Sequence, residues 1–170
     1  TDETLNLLTN LAKEAKLEDW RDRLFSGDKI NFTENRSALH IALRNKSQKA
    51  ILLDGKDIMP NVKKVLRQMK IFSSDIRSGK FKGYTGKKIK SVINIGIGGS
   101  ELGPLTVCTA LKSFCNGPKV HFVSNLDPTH MNDALSRCHQ KTTLFIINSK
   151  SFTTGETLQN AKLSLIHISE

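Results

Sequence analysis

The sequence has no long apolar run: no stretch of its 170 residues approaches the ~20 apolar residues that a membrane-spanning helix needs. We therefore expect no membrane partner. Its first residues, Thr1-Asp2-Glu3-Thr4, contain no basic patch followed by an apolar stretch, so no secretory signal is predicted. Cysteine is scarce, and Cys108, Cys115 and Cys138 have neither a CxxC spacing nor a nearby zinc-type histidine pair, which predicts no metal site. These absences favour a reduced, cytoplasmic protein.

Charge is abundant and uneven. The net charge is +10, and the stretch from Lys63 to Lys90 holds ten lysines and arginines against one acid, Asp75. The three aromatic residues of this stretch do not alternate with the cations as a base-stacking surface would. We therefore predict no nucleic-acid partner, and interpret the stretch as a solvated basic face or as a surface that meets acidic residues elsewhere in a longer protein. The overall composition, 38% hydrophobic and 25% charged, is that of a globular protein.

The first half of the chain has helical periodicity. Apolar residues at a spacing of three and four predict a helix over 4–18, and a second over 34–45 with His40 packed as a structural histidine. Asp54-Gly55 predicts a turn. An apolar stripe after Pro60 predicts a helix that continues to residue 77 and stops at Gly79. Residues 1–85 are therefore predicted to form an N-terminal helical segment.

The pattern changes after residue 86 to short apolar strands that alternate with helices. Strands are predicted at Val92–Ile95, Val120–Ser124 and Thr143–Asn148, with helices near 101–113, 130–138 and from Glu156. This alternation predicts an α/β fold, a doubly wound parallel sheet flanked by helices. Ligands of such sheets bind beyond the carboxyl ends of the strands, so the three loops at those ends should meet at one site.

A glycine-rich turn follows the first of these strands. Three glycines within four residues and a serine, Gly96-Ile97-Gly98-Gly99-Ser100, let the backbone approach an anion at the start of a helix. The dinucleotide fingerprint fails, because Glu101 stands where the third glycine is required. The turn therefore favours a phosphate or sugar site, or merely lets a helix pack closely against a strand.

The loop after the third strand, Ser149-Lys150-Ser151-Phe152-Thr153-Thr154, offers four hydroxyls and an ammonium just before a helix. A phosphate dianion requires several donors, a cation and the positive end of a helix. The alternative is a loop that only caps the helix, with Thr153 as the cap and Lys150 in solvent. Asp127, after the second strand, is interpreted as structural. No Ser/His/Asp group and no paired carboxylates are found, so the chain is equipped to bind a phosphorylated ligand rather than to transform one.

Long ordered matches extend this interpretation. With Asn31–Asn45, Gly83–Gly86, Val92–Pro104 and Ser149–Thr154 in this order, the chain resembles the glucose-6-phosphate isomerase (phosphoglucose isomerase) family. The resemblance implies a sugar-isomerase (SIS) fold, two such domains in the full protein, a homodimer, and interconversion of glucose 6-phosphate and fructose 6-phosphate in glycolysis and gluconeogenesis. It implies no cofactor. It also implies that the substrate phosphate is bound by eight residues: Gly99, Ser100, Ser149, Lys150, Ser151, Phe152, Thr153 and Thr154.

The same resemblance places the family's catalytic Glu, His, Lys and Arg in later regions of the chain, so no catalytic residue is expected here. Residues 86–162 then form the first part of an incomplete SIS domain. Residues 163–170 match nothing expected of the family, and our hypothesis is that they are foreign sequence. Two alternatives stay open: a non-catalytic SIS-fold sugar-phosphate-binding module, and a nicotinamide-dependent dehydrogenase, against which Glu101 argues.

Overall fold

A computed structural model describes the backbone of residues 1–169 and the side chains of residues 1–165. The chain divides into two compact units, Thr1–Lys70 and a second that begins at Ile71. Helix α4 (Met59–Ser78) begins in the first unit and ends in the second. The division into 1–85, 86–162 and 163–170 remains a prediction.

The first unit begins with two helices where one was predicted. Helix α1 (Asp2–Glu14) ends before Lys16, whose left-handed backbone (φ 52°) breaks the chain, and α2 (Leu17–Ser26) follows. The prediction of one helix over 4–18 was therefore wrong. A physical reason is that Glu18 and Asp19 lie in the first turn of α2, where carboxylates stabilise the positive end of a new helix.

The helix predicted over 34–45 is also mostly absent. Helix α3 covers only His40–Arg44, because the preceding residues are held in a turn. There the side chain of Asn31 accepts hydrogen bonds from the Thr33 hydroxyl and the Glu34 amide, which compete with helix formation. His40 is exposed, so its prediction as a packed histidine was wrong.

The predicted turn at Asp54-Gly55 is confirmed. It joins β1 (Leu52–Leu53) to β2 (Lys56–Asp57) in an antiparallel hairpin. Ala42, Ile51 and Met59 form the buried core of the first unit. Helix α4 stops at Gly79, as predicted.

The second unit contains the predicted parallel sheet. Its order is β4-β3-β5, so β3 is the central strand and both neighbours run parallel to it. The α/β prediction is confirmed. The elements are β3 (Ser91–Ile95), α5 (Gly99–Ala110), β4 (Lys119–Val123), α6 (Pro128–Ser136), β5 (Thr143–Ile147) and α7 (Gly155–Ser169).

Apolar cores lie on both faces of β3. Ile93 and Ile95 have no exposed surface and pack with Val123 and with Met131 of α6. The neighbouring Val92 packs with Ile76 and Ile89 in a separate cluster. Because successive residues of a strand point to opposite faces, the apolar run of β3 fills both cores.

The predicted foreign tail continues α7. Ser164 is buried and its hydroxyl donates to the carbonyl oxygen of Ala161 at 2.7 Å. Glu170 lies outside the described residues, and the foreign origin of residues 163–170 remains a hypothesis. No helix within residues 1–169 is long and apolar enough to cross a membrane.

Replacing Ile93 by alanine tests the core. The change Ile93→Ala removes a fully buried side chain and should lower the free energy of unfolding by about 2–5 kcal/mol. Val107→Ala is the matched control, because Val107 is 57% exposed, and should change it by less than about 0.5 kcal/mol. Urea unfolding measures both. Equal effects would contradict the assignment of Ile93 to the core.

His121 on β4 should make stability depend on pH. Burial lowers the pKa of His121, and the positive charges of Arg137 and Lys119 lower it further. The unfolded chain therefore takes up a proton at higher pH than the folded chain, so stability should fall as the pH drops below about 6.5. The thermal midpoint should fall less between pH 7 and pH 5 in His121→Gln than in the unmodified chain. An equal fall in the two proteins would contradict the assignment of this pH dependence to His121.

Candidate functional site

The carboxyl ends of the three strands come together as predicted. The amide of Gly96, just after β3, donates to the carbonyl oxygen of Val123 on β4 at 3.1 Å. On the other side, the amide of Asn148, just after β5, donates to the carbonyl oxygen of Ile95 at 2.8 Å. The sheet hydrogen bonds thus continue into the loops and hold the glycine-rich turn beside the start of the hydroxyl-rich loop.

Two asparagines fix the glycine-rich turn. The carbonyl oxygen of Ser100 accepts from the side-chain amide of Asn94 at 3.1 Å and from that of Asn148 at 3.0 Å. Asn94 lies on β3 and is buried, and Asn148 follows β5. One carbonyl group is therefore held from two strands, which sets the position of the first turn of α5. Sequence reasoning missed both asparagines, although a polar residue inside the apolar run of β3 was a visible signal.

Gly96 is required because the two loops approach closely. A Cβ at this position would lie 2.8 Å from Cβ of Ser100 and 2.9 Å from the carbonyl oxygen of Asn148. Both distances are shorter than a side-chain carbon tolerates. The close-packing alternative for the glycines therefore applies to Gly96. At Gly98 and Gly99, by contrast, a Cβ would have no neighbour within 4 Å, so the turn borders open space.

Helix α5 begins in that space. Its cap residue, Gly98, has no side chain that could satisfy the first amides, and Gly99 and Ser100 form the start of the helix. The amide of Ser100 already donates to the carbonyl oxygen of Ile97 at 3.2 Å, so the feature that would attract an anion here is the positive end of the helix dipole. Ser100 is half-buried and Gly99 is exposed.

The loop after β5 is shaped by its own hydroxyls. The hydroxyl oxygen of Ser149 accepts from the amide of Phe152 at 3.0 Å, and the hydroxyls of Ser151 and Thr153 bond to each other at 2.6 Å. Because the Ser149 oxygen serves as the acceptor, its proton remains free to be donated elsewhere. Phe152 has a left-handed backbone (φ 54°). Local bonds thus bend the loop towards the start of α7.

The start of α7 favours Thr154 over Thr153 as the cap position. The amide of Leu158 donates to the carbonyl oxygen of Thr154, which makes Thr154 the residue just before the helix. Lys150 and Ser151 are exposed, whereas Ser149 and Thr154 are half-buried. The loop therefore offers an exposed ammonium and several hydroxyls at the positive end of α7, as phosphate binding requires.

The loop that follows β4 has a structural role. The carboxylate of Asp127 accepts from the amide of Thr129 at 2.9 Å and caps α6, and these hydrogen bonds from Thr129 hold the pKa of Asp127 below its usual value. This agrees with the structural interpretation of Asp127. Asn160 on α7 donates to the carbonyl oxygen of Asn125 at 2.9 Å, so the third loop is tied to the same edge. Within the described residues, no group of three His, Cys, Asp or Glu side chains could hold a metal ion.

Comparisons with known proteins bear on this site. A family model described as phosphoglucose isomerase matches residues 1–168. The glucose-6-phosphate isomerase of Candida glabrata is 54% identical over 160 residues, which cover 94% of this chain and 29% of that protein. The corresponding protein of Aspergillus oryzae is 55% identical over 162 residues, covering 95% of this chain and 29% of its own length.

A solved structure from the same family has a similar fold. The crystal structure of a glucose-6-phosphate isomerase from Chlamydia trachomatis matches with a TM-score of 0.76 at 27% sequence identity, over 96% of this chain and 31% of that one. The chain therefore spans less than a third of the length of these relatives, as an incomplete domain would.

The close approach at Gly96 gives a test of the site's geometry. Gly96→Ala should lower the free energy of unfolding by about 1–3 kcal/mol, because its Cβ would push Ser100 and Asn148 apart. The matched control is Gly103→Ala inside α5, where nothing lies within 4 Å of a new Cβ. That change should raise stability by about 0.5–1 kcal/mol, since alanine favours helix. Chemical denaturation of both variants checks the opposite signs, and a neutral Gly96→Ala would be inconsistent with the described contact.

Proposed function

The chain belongs to the phosphoglucose isomerase family, and on that basis we propose that it supplies the sugar-phosphate-binding loops of a glucose-6-phosphate isomerase. The complete enzyme would interconvert glucose 6-phosphate and fructose 6-phosphate, an aldose–ketose isomerisation. The observation that carries this proposal is the double hydrogen bond from Asn94 and Asn148 to the Ser100 carbonyl, which holds the glycine-rich turn against the loop of Ser149.

The chemistry of the two loops supports a phosphate monoester as the bound group. The dianion would meet the ammonium of Lys150, the free proton of Ser149 and the positive ends of α5 and α7. Charge-assisted hydrogen bonds of this kind are about twice as strong as neutral ones. The proposed binding residues are those expected from the sequence: Gly99, Ser100, Ser149, Lys150, Ser151, Phe152, Thr153 and Thr154.

We also propose the compartment, the oligomeric state and the partners of the complete protein. The complete protein would be a cytoplasmic homodimer with two SIS domains, and no nucleic acid, membrane or cofactor would take part. Proton transfer between C1 and C2 of the sugar needs a general base, and ring opening needs an acid–base pair. In the family these groups come from other regions, so the 170-residue chain should bind the substrate without converting it.

The main alternative is a non-catalytic sugar-phosphate-binding module of the same fold. It would use the same loops, and it differs in what the complete protein does with the ligand. The two curated relatives described above are glucose-6-phosphate isomerases by name, which favours the enzyme. A complete protein that binds glucose 6-phosphate with no turnover would establish the alternative.

Calorimetric titration of the 170-residue chain with glucose 6-phosphate tests the site. Lys150→Met should weaken binding about 10- to 100-fold, because a hydrogen bond to a charged group contributes about 1.5–3 kcal/mol. Lys112→Met removes another exposed lysine of the same unit and should leave the affinity unchanged. Unphosphorylated glucose should not bind measurably.

Two results would count against the proposal. Equal affinities for glucose and glucose 6-phosphate would show that the phosphate is not recognised, and an unaffected Lys150→Met variant would remove Lys150 from the site. Isomerase turnover above background by the 170-residue chain would contradict the expectation that it is inactive alone.

A further inference from the structure

The edge of the sheet opposite the candidate site is built from lysines. Each strand begins at or near one: Lys90 immediately precedes β3, Lys119 is the first residue of β4, and Lys141 lies two residues before β5. The strands are parallel, so their amino ends lie at one edge, with neighbouring strands about 4.8 Å apart. Lysines that are far apart in the sequence therefore have their backbones at one edge of the sheet, with Lys90 and Lys119 on opposite faces because Lys119 is in register with Ser91.

Backbone hydrogen bonds fix this arrangement. The amide of Lys119 donates to the carbonyl oxygen of Lys90 at 3.0 Å, and the amide of Lys90 donates to that of Thr142 at 2.8 Å. The three strand ends are thus joined to one another directly, and their lysines cannot move apart without breaking the sheet.

A turn adds three more cations to this edge. Lys82 and Lys88 are paired across the turn, and the amide of Gly83 donates to the carbonyl oxygen of Lys87 at 3.1 Å. The hydroxyl of Thr85 donates to the carbonyl oxygen of Lys141 at 2.9 Å, which anchors the turn to the start of β5. We call these six residues the basic edge: Lys82, Lys87, Lys88, Lys90, Lys119 and Lys141.

The basic edge lacks compensating acids. All six lysines are exposed, and none of their ammonium groups lies within 4.0 Å of a carboxylate in the described part of the second unit. The neighbouring Lys80 is paired with Asp75 at 3.7 Å, so the nearby acid is already engaged. Uncompensated like charges gathered at one edge of the sheet repel, and an anionic partner would relieve that repulsion.

We propose that the basic edge is a docking surface for an acidic polypeptide segment. Its cations are all ammonium groups, each a compact point charge that can pair with a single carboxylate of an acidic side chain. The nearby Arg77 is turned to the side chain of Asn116.

Other anionic macromolecules fit less well. Single-stranded nucleic acid is bound on successive stacked aromatic rings. Here Tyr84 is fully exposed, but Phe81 packs edge-on against Phe72 with ring centres 5.0 Å apart. A membrane surface is bound by an amphipathic helix with an apolar face beside its cations, and the basic edge consists of strand ends and a turn.

Binding of a fluorescent octaglutamate peptide to the 170-residue chain, measured by anisotropy at low salt, tests the proposal. A triple variant, Lys90→Glu, Lys119→Glu and Lys141→Glu, should weaken binding about tenfold or more. The matched control, Lys46→Glu, Lys49→Glu and Lys64→Glu, has the same net charge and changes exposed lysines of the first unit. It should weaken binding less than about threefold.

Competing probes decide the class of partner. A single-stranded oligouridylate with eight phosphates and vesicles containing phosphatidylserine should each bind more weakly than the peptide; tighter binding of either overturns the assignment to an acidic polypeptide. Equal losses in the two triple variants would show attraction by net charge alone and would also overturn it, as would failure of the peptide to bind. None of these probes involves glucose 6-phosphate, so the outcome is independent of the proposed function.

A second measurement does not need a partner or a charge reversal. If the basic edge is self-repelling, added sodium chloride should raise the thermal midpoint of the free chain by screening it. A neutral triple variant, Lys90→Gln, Lys119→Gln and Lys141→Gln, should show less of this salt effect than the neutral control triple, Lys46→Gln, Lys49→Gln and Lys64→Gln. The same salt response in both would contradict the repulsion on which the proposal rests.

Discussion

The hydrogen bonding of one buried strand, β3, determines much of what the second unit presents to solvent. Both neighbouring strands pair with β3 and, within the described sheet, not with each other. Its apolar side chains fill cores on both faces, so it is fixed along its edges and across its faces at once. The positions of the glycine-rich turn at one end and of Lys90 at the other are therefore set by this strand.

In the candidate site, the sheet fixes the positions of a few polar side chains. The side chain of Asn94 reaches from inside β3 to the carbonyl oxygen of Ser100, and Asn148 reaches the same atom from beyond β5. A buried amide that makes its hydrogen bonds adds specificity of position, because any displacement of the turn would leave polar groups unpaired. The absence of a side chain at Gly96 is what allows this approach.

Much of the second unit could be predicted from sequence because its signals are local. Short apolar runs and the glycine turn located the strands to within a residue or two, and the hydroxyl-rich loop was placed correctly at the end of β5. The first unit was harder. Periodicity alone cannot show that Lys16 adopts a left-handed backbone, or that Asn31 captures the hydroxyl and amide of the next residues and prevents a helix. The roles of Asn148 and of the gathered lysines depend on pairing between distant residues, which leaves no local pattern.

Gly98 shows that chirality, rather than size, can determine which residue a turn accepts. Its backbone angles, φ 58° and ψ −124°, are close to the mirror image of the extended conformation that L residues commonly adopt. There is open space around the position, so a methyl group would meet no neighbour. A D-alanine introduced by chemical synthesis would therefore have the handedness that this turn prefers, whereas every coded L residue would be strained there. The turn leading into α5 depends on an achiral residue in a chain of L amino acids.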